Sequence, residues 1–153
     1  MTPLPSGRYL TAGLLLLPLL STPAPADVRS PLAGIFSNVA LSPESGDLGG
    51  LEIEIHPHPS TAHAFVVLCE GWCNEAHRVP VKINGAKFEL TFAEPTYDAS
   101  GATAGEIPYR VSGRLIGQSL LVDLRSGLHV DRLRLTKRSQ RFGLDVAMPG
   151  GAP

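Results

Sequence analysis

Apolar and polar side chains alternate through most of the chain. Leu51, Ile53 and Ile55 are separated by Glu52 and Glu54; Val79, Val81 and Ile83 alternate with polar neighbours that include Lys82; Phe88, Leu90 and Phe92 alternate with Lys87, Glu89 and Thr91. A period of two puts successive side chains on opposite faces of a strand, so each stretch predicts a half-buried β-strand with its charges toward water. From residue 27 onward no segment carries a sustained helical stripe. The pattern predicts an all-β chain.

Turn residues set the expected pairing. Asn84-Gly85 is a two-residue hairpin signal, because the tight turns that suit strand twist need positive φ. With those two residues as the loop, Ile83 opposes Ala86, Val81 opposes Phe88 and Val79 opposes Leu90. Gly117-Gln118 pairs Leu115 with Leu120, Gly113 with Val122 and Val111 with Leu124. A three-residue loop Arg125-Ser126-Gly127 sets Leu124 opposite Leu128 and Val122 opposite Val130. All three registers unite one apolar face. Beyond Val130 the parity slips, since Leu133 and Leu135 are odd-numbered, and a β-bulge near Asp131 or Arg132 restores the inward face.

The predicted strands cover residues 34–41, 48–56, 62–69, 77–83, 86–92, 106–116, 119–124 and 128–136. An antiparallel meander of about eight strands closes into a small barrel of the lipocalin or streptavidin kind; a partly open barrel or a sandwich is the alternative. An outer-membrane barrel needs an apolar outward band. Here the outward positions hold Glu52, Glu54, Lys82, Lys87 and Glu89, read as a solvated face, so the expected barrel is soluble with an apolar inside. Residues 93–105 form the longest expected irregular connection.

The first 26 residues depart from this pattern. Arg8 precedes an apolar run from Leu10 to Leu20 that ends at Ala24-Pro25-Ala26, the layout of a cleaved secretory signal peptide. The run is too short and too broken by Pro18 for a membrane span. The expected organisation is a signal peptide over 1–26, one β-barrel-like domain over 27–138 and a flexible tail over 139–153, in a secreted or periplasmic, oxidising setting. The whole chain carries 13 basic and 14 acidic residues. That balance gives no electrostatic case for nucleic acid or membrane insertion.

Chemistry-bearing residues are few. Cys69-Glu70-Gly71-Trp72-Cys73 holds both cysteines and the only tryptophan. A three-residue turn at Glu70-Gly71-Trp72 places Cys69 and Cys73 face to face, near the ~5.5 Å Cα separation a disulfide prefers, so the stretch reads as a clip that presents Trp72. His56, His58, His63 and His77 together with the cysteines are the residue types of a zinc site, but their spacing matches no metal motif and no metal or cofactor is assigned. Cys69 as a nucleophile with His77 as its base requires reduced cysteines. No Gly-x-Ser-x-Gly or His-Glu-x-x-His motif is present, and the chain reads as a non-enzyme. Arg132, Arg134, Lys137, Arg138 and Arg141 give the C-terminal region a local positive charge, read as solvated.

Gly34, Ser37 and Asn38, then Glu44-Ser45-Gly46-Asp47, Gly50 and Glu52, and finally Glu70-Gly71, form a pattern that resembles a group of small exported bacterial β-domain proteins of unassigned function. The resemblance covers residues 34–92 and implies an exported β-domain without implying a chemistry. Gly34-Ile35-Phe36-Ser37-Asn38 is also similar to the opening of avidin-like barrels. That family lines its biotin pocket with several tryptophans and this chain has only Trp72, so biotin binding is not carried over.

The sequence thus points to a binding domain for a small apolar ligand or an exported protein partner, with Trp72, Tyr97, Tyr109, His63 and Phe65 as candidate contact residues. An inhibitor of an exported enzyme, working through the 93–105 loop and the Cys69–Cys73 stretch, is one alternative. An enzyme or metal-binding protein using Cys69, Cys73 and His77 is the other. A filled barrel interior would move any site to the outside.

Overall fold

The structure, a computed structural model, describes residues 30–147. The residues read as a signal peptide and the last part of the C-terminal tail lie outside that range. The strands are β1 (Gly34–Ser37), β2 (Ala40–Leu41), β3 (Leu48–His56), β4 (His63–Cys73), β5 (His77–Pro80), β6 (Lys82–Asn84), β7 (Lys87–Tyr97), β8 (Thr103–Ile116), β9 (Ser119–Ser126) and β10 (His129–Arg138), followed by a short helix α1 (Gly143–Ala147). All pairings are antiparallel, in the order β5-β4-β3-β1-β10-β9-β8-β7-β6, with β2 added to β3. The expected all-β barrel is present and nearly closed.

The two chain-terminal strands pair with each other, Phe36 opposite Lys137. Closure on the opposite side falls to the segment expected as one strand over 77–83. It divides at Val81: β5 pairs with β4, His63 opposite Pro80, and β6 pairs with β7, Lys82 opposite Glu89. At the division the Val81 N–H donates to Ala62 O at 3.1 Å.

Hairpin registers both agree with and depart from the sequence reading. The Gly117-Gln118 turn pairs Leu115 with Leu120, Gly113 with Val122 and Val111 with Leu124, as expected. The first hairpin is shifted: Ile83 opposes Phe88 and Asn84 opposes Lys87, so the loop is Gly85-Ala86. In the last hairpin Ser126 opposes His129, leaving Gly127-Leu128 as a two-residue loop instead of the expected three. The three turns share one cause. Gly85, Gly117 and Gly127 take φ of 59°, 60° and 58° at the first loop position, and no non-glycine residue has positive φ among the described residues. A two-residue turn with glycine first needs a left-handed residue only there.

The corrected third register removes the expected bulge. Leu133 opposes Val122 and Leu135 opposes Leu120 in unbroken pairing, so the odd-numbered leucines already face inward. Leu128, expected on the inner face, stands fully exposed at the turn, and Val130 points outward. The expected 93–105 loop is also shorter. β7 and β8 continue through Tyr97 and Thr103, and the connection between them is closed by Asp98, whose carboxylate accepts from the Ser100 and Ala102 amides at 2.8 and 3.1 Å.

Side chains fill the barrel. Phe36, Leu51, Ile53, Val66, Phe88, Leu90, Phe92, Val111, Leu120 and Leu135 belong to one buried cluster. Gly113 completes it, because a Cβ there would stand 2.7 Å from the Phe88 ring that lies across it. A second, smaller cluster lies outside the barrel wall: Val39, Leu48, Val67, the two cysteines and Leu144. Residues 139–147, expected as a flexible tail with Phe142 and Leu144 able to dock on the barrel, supply its cover through Leu144. Leu144 is fully buried, and at Gly143 a Cβ would crowd Val39, Val67 and the Cys69 Sγ at 3.2 to 3.3 Å.

This docking overturns the reading of Glu52 and Glu54 as solvated. Glu52 is fully buried, and its Oε1 accepts from the amides of Phe142 at 3.0 Å and Leu144 at 3.1 Å. Those amides stand at the start of α1, where N–H groups have no partner within the helix. Glu54 accepts from the Arg141 Nε at 2.5 Å. Replacing Glu52 with Ala leaves two amides unsatisfied beneath Leu144. We expect a loss of about 2 kcal/mol in denaturant unfolding, with protease cleavage gained around residues 139–147. An E52A protein as stable and as resistant as the parent would remove Glu52 from this role.

Candidate functional site

Because β5 pairs only with residues 63–66 of β4, and β6 only with residues 87–89 of β7, the barrel wall opens into a seam above them. The seam runs between the end of β4 and the end of β7. The β7 side is an unpaired edge from Thr91 onward. Leu115 N–H donates to Ala86 O, so the even-numbered residues of β7 bond to β8 and the odd-numbered ones point their backbone groups into the seam. Pro95 is odd-numbered. Its missing N–H falls on the open edge, where a proline is tolerated.

Across this gap the His77 Nε2 meets the Glu94 Oε1 at 3.1 Å. Glu94 follows Phe88, Leu90 and Phe92 on the inward face of β7 and is 5% exposed. Burial pushes its carboxyl above the ordinary glutamate range; the His77 charge and hydrogen bonds from His77 and Asn74 pull the other way, and Glu70 adds a smaller upward push. Beneath the pair, the His77 ring packs on Phe92 at 5.3 Å and Phe92 stacks on Tyr109 at 5.1 Å. The Tyr109 hydroxyl is pushed up by burial, then by the charges of Glu70, Glu94 and Asp131. A buried acid and its histidine partner thus sit at one end of the barrel within reach of the charges of Glu70 and Asp131.

The Cys69–Cys73 stretch forms the other wall. The cysteines are joined by a disulfide, and no free cysteine remains. A disulfide of this kind is consistent with an oxidising compartment. Their Cα atoms are 3.9 Å apart, closer than the separation expected from the sequence. The turn is tighter than a free hairpin because Glu70 and Gly71 still pair with Gly49 and Leu48 of β3 while the Asn74 N–H returns to Leu68 O at 3.1 Å. Gly71 permits this with φ of 86°. The disulfide faces the outer cluster beneath α1, and Trp72 is left 68% exposed.

A depression of about 350 Å³ follows, lined among others by Trp72, Asn74, Glu75, Glu94, Tyr97 and Val146. Of the five residues singled out in the sequence, Trp72 and Tyr97 meet here, and Tyr109 supports the floor through Phe92. His63 and Phe65 do not. They lie on the outer face of β4, His63 stacked on His56 at 4.9 Å and Phe65 under the Arg141 guanidinium at 5.8 Å. The pairing of Cys69 with His77 as nucleophile and base is not formed: Cys69 is bridged, and His77 is engaged with Glu94. No group of three or more His, Cys, Asp or Glu side chains suited to a metal ion occurs among the described residues.

The sequence reading missed Glu94 and Asn74. A signal for Glu94 was present, since it continues the odd-even pattern of Phe88, Leu90 and Phe92 as an acid on the apolar face. Comparison with protein-family models, with curated proteins and with solved structures gave no match.

The raised Glu94 carboxyl has a consequence for stability. The folded chain holds this proton to higher pH than the unfolded chain, so between the ordinary glutamate value of 4.5 and the raised one unfolding releases a proton. Stability from this group therefore falls as pH rises through that window. Denaturant midpoints followed from acid to neutral pH are expected to show this decline in the parent relative to Glu94→Gln. A difference between the two proteins that is constant with pH would contradict it.

Proposed function

We propose that this chain is a non-catalytic binding domain of an exported compartment that receives a cationic side chain of a protein partner in the barrel seam. The observation that carries this reading is the convergence of Trp72 and Tyr97 on the depression floored by Glu94. Exposed aromatic faces attract a cation through their ring quadrupoles, and nearby carboxylates add charge complementarity. Glu75 and Glu94 line the same depression, and Glu70 acts on Glu94 electrostatically.

A small apolar ligand inside the barrel is less well supported, because Leu51, Phe88, Leu90 and Phe92 occupy that space as packed side chains. The inhibitor reading leaned on a long projecting loop at 93–105, of which most is strand. The unpaired edge of β7 suits an extended peptide, which could add to it as a strand while one side chain enters the depression.

Trp72 is the only tryptophan, so its emission reports on the site directly. Short extended peptides carrying a central Lys or Arg are expected to shift it saturably, with at least about tenfold preference over the same peptide carrying Ala. By calorimetry, Trp72→Ala is expected to weaken Lys-peptide binding by about two- to thirty-fold, the range of a cation–π contact. Equal response to Lys, Ala and Glu peptides would sink the proposal.

A further inference from the structure

A second surface, independent of the seam, lies on the outer face of β7 to β10. The registers align three cross-strand rows there. Lys87, Arg114, Leu121 and Arg134 form one; Glu89, Ser112, Asp123 and Arg132 form the next; Thr91, Arg110, Arg125 and Val130 form the third. Within these three rows six cations stand with two acids, Glu89 and Asp123; the next acid on this face of β8 is Glu106, beyond the third row. A depression of about 560 Å³ lies over the first two rows.

Internal ion pairs do not account for this arrangement. Glu89 is taken by Arg110 at 3.0 Å, and Asp123 is shared by Arg125 at 3.4 Å and Arg132 at 3.8 Å. Lys87, Arg114 and Arg134 have no acidic partner among the described residues. Moreover, Lys87 stands directly opposite Arg114, and Arg110 directly opposite Arg125. Like charges in facing cross-strand positions destabilise a sheet. The Arg110–Arg125 repulsion is offset by Glu89 and Asp123, whereas Lys87 and Arg114, two rows away, have no acid to offset theirs.

We infer that this face binds an anionic polysaccharide, with the unpartnered row of Lys87, Arg114 and Arg134 holding successive carboxylate or sulfate groups of the chain. Five of the six cations are arginines, whose planar fork suits oxoanions with two oxygens to offer. Neighbouring strands are ~4.8 Å apart, so the row from β7 to β10 spans ~14 Å, a short stretch of a charged chain. A depression cradles a rod better than it meets a flat membrane. The three rows carry no aromatic side chain, and single-stranded nucleic-acid sites combine their basic groove with base stacking on such rings, which this face lacks.

The test uses the full protein at low salt with polygalacturonate and heparin as probes, and with neutral dextran, anionic phospholipid vesicles and a single-stranded oligonucleotide as comparisons. Saturable binding to at least one acidic polymer, absent for dextran and weakening as salt rises, is expected. Arg114→Glu is expected to reduce it about tenfold or more, while Arg78→Glu, the same charge change on β5, reduces it less than about threefold. Arg114→Glu also puts a carboxylate opposite Lys87, so its melting temperature is expected to hold or rise. A loss of binding therefore cannot come from unfolding. Equal losses in the two variants, no polymer binding, or tighter binding to vesicles or oligonucleotide would each overturn the inference.

Discussion

One strand has to close this barrel against two edges, and it is too short to do so along their length. β4 and β7 are each 11 residues long, whereas β5 and β6 together supply seven residues shared between them. Backbone groups left over on the longer strands are a hazard, because an open edge invites pairing with another chain. The chain limits this hazard by local means without closing the β7 edge. Pro95 removes a donor from the β7 edge, the Asn74 amide turns the end of β4 back on Leu68, and the disulfide holds that turn. The His77–Glu94 contact then spans what remains. Every feature of the seam follows from incomplete closure.

The same strands carry load on both faces. Inward, β3 and β4 contribute Leu51, Ile53, Ala64 and Val66 to the barrel core; outward, they contribute Leu48, Val67 and Cys69 to the cluster under α1. Two-sided burial explains why Glu52 is an acid in a dry place. It faces outward on β3, where the returning chain needs acceptors for the first amides of α1, and a carboxylate supplies two. The residues that resemble an exported β-domain pattern have structural duties in this region. The Asn38 Oδ1 accepts the Leu51 amide at 2.8 Å, and Gly50 leaves room for the Asn38 backbone, which a Cβ would approach to 2.8 Å.

Legibility in the sequence followed the physics of each feature. Period-two alternation gave the strands because side chains on one-sided strands must alternate. It misled over β3, where Glu52 mimics a solvated position. A signal for two-sided burial was available: Ala64 to Cys69 is an apolar run without alternation, the mark of a strand covered on both faces. Registers were legible only where glycine opened the loop as assumed, at Gly117; reading Asn84 and Arg125 as loop residues displaced the other two. At the site, Trp72 was legible from the expected turn between the cysteines, and Tyr97 lay in the expected 93–105 connection. His63 and Phe65 had no geometric argument behind them, and the structure places them elsewhere.

Charge shows most clearly what composition conceals. A net charge of −1 gives no hint of an electrostatic partner, yet pairing sorts the charges in space. Arg132 and Arg134 look like part of a solvated C-terminal run, with Asp131 diluting them. In the barrel, Asp131 turns inward toward Tyr109, while the two arginines turn outward beside Arg114 and Lys87, which lie far away in sequence. Alternation along one strand is enough to separate them: neighbours of opposite sign are sent to opposite faces, and antiparallel pairing then gathers like charges from four strands. The result is an acidic barrel end and a basic outer wall in one nearly neutral chain. Net charge therefore says little about a single face: Asp131 and Arg132, adjacent in sequence, end on opposite sides of the wall, while Glu89 and Asp123 stay among the cations of the outer rows.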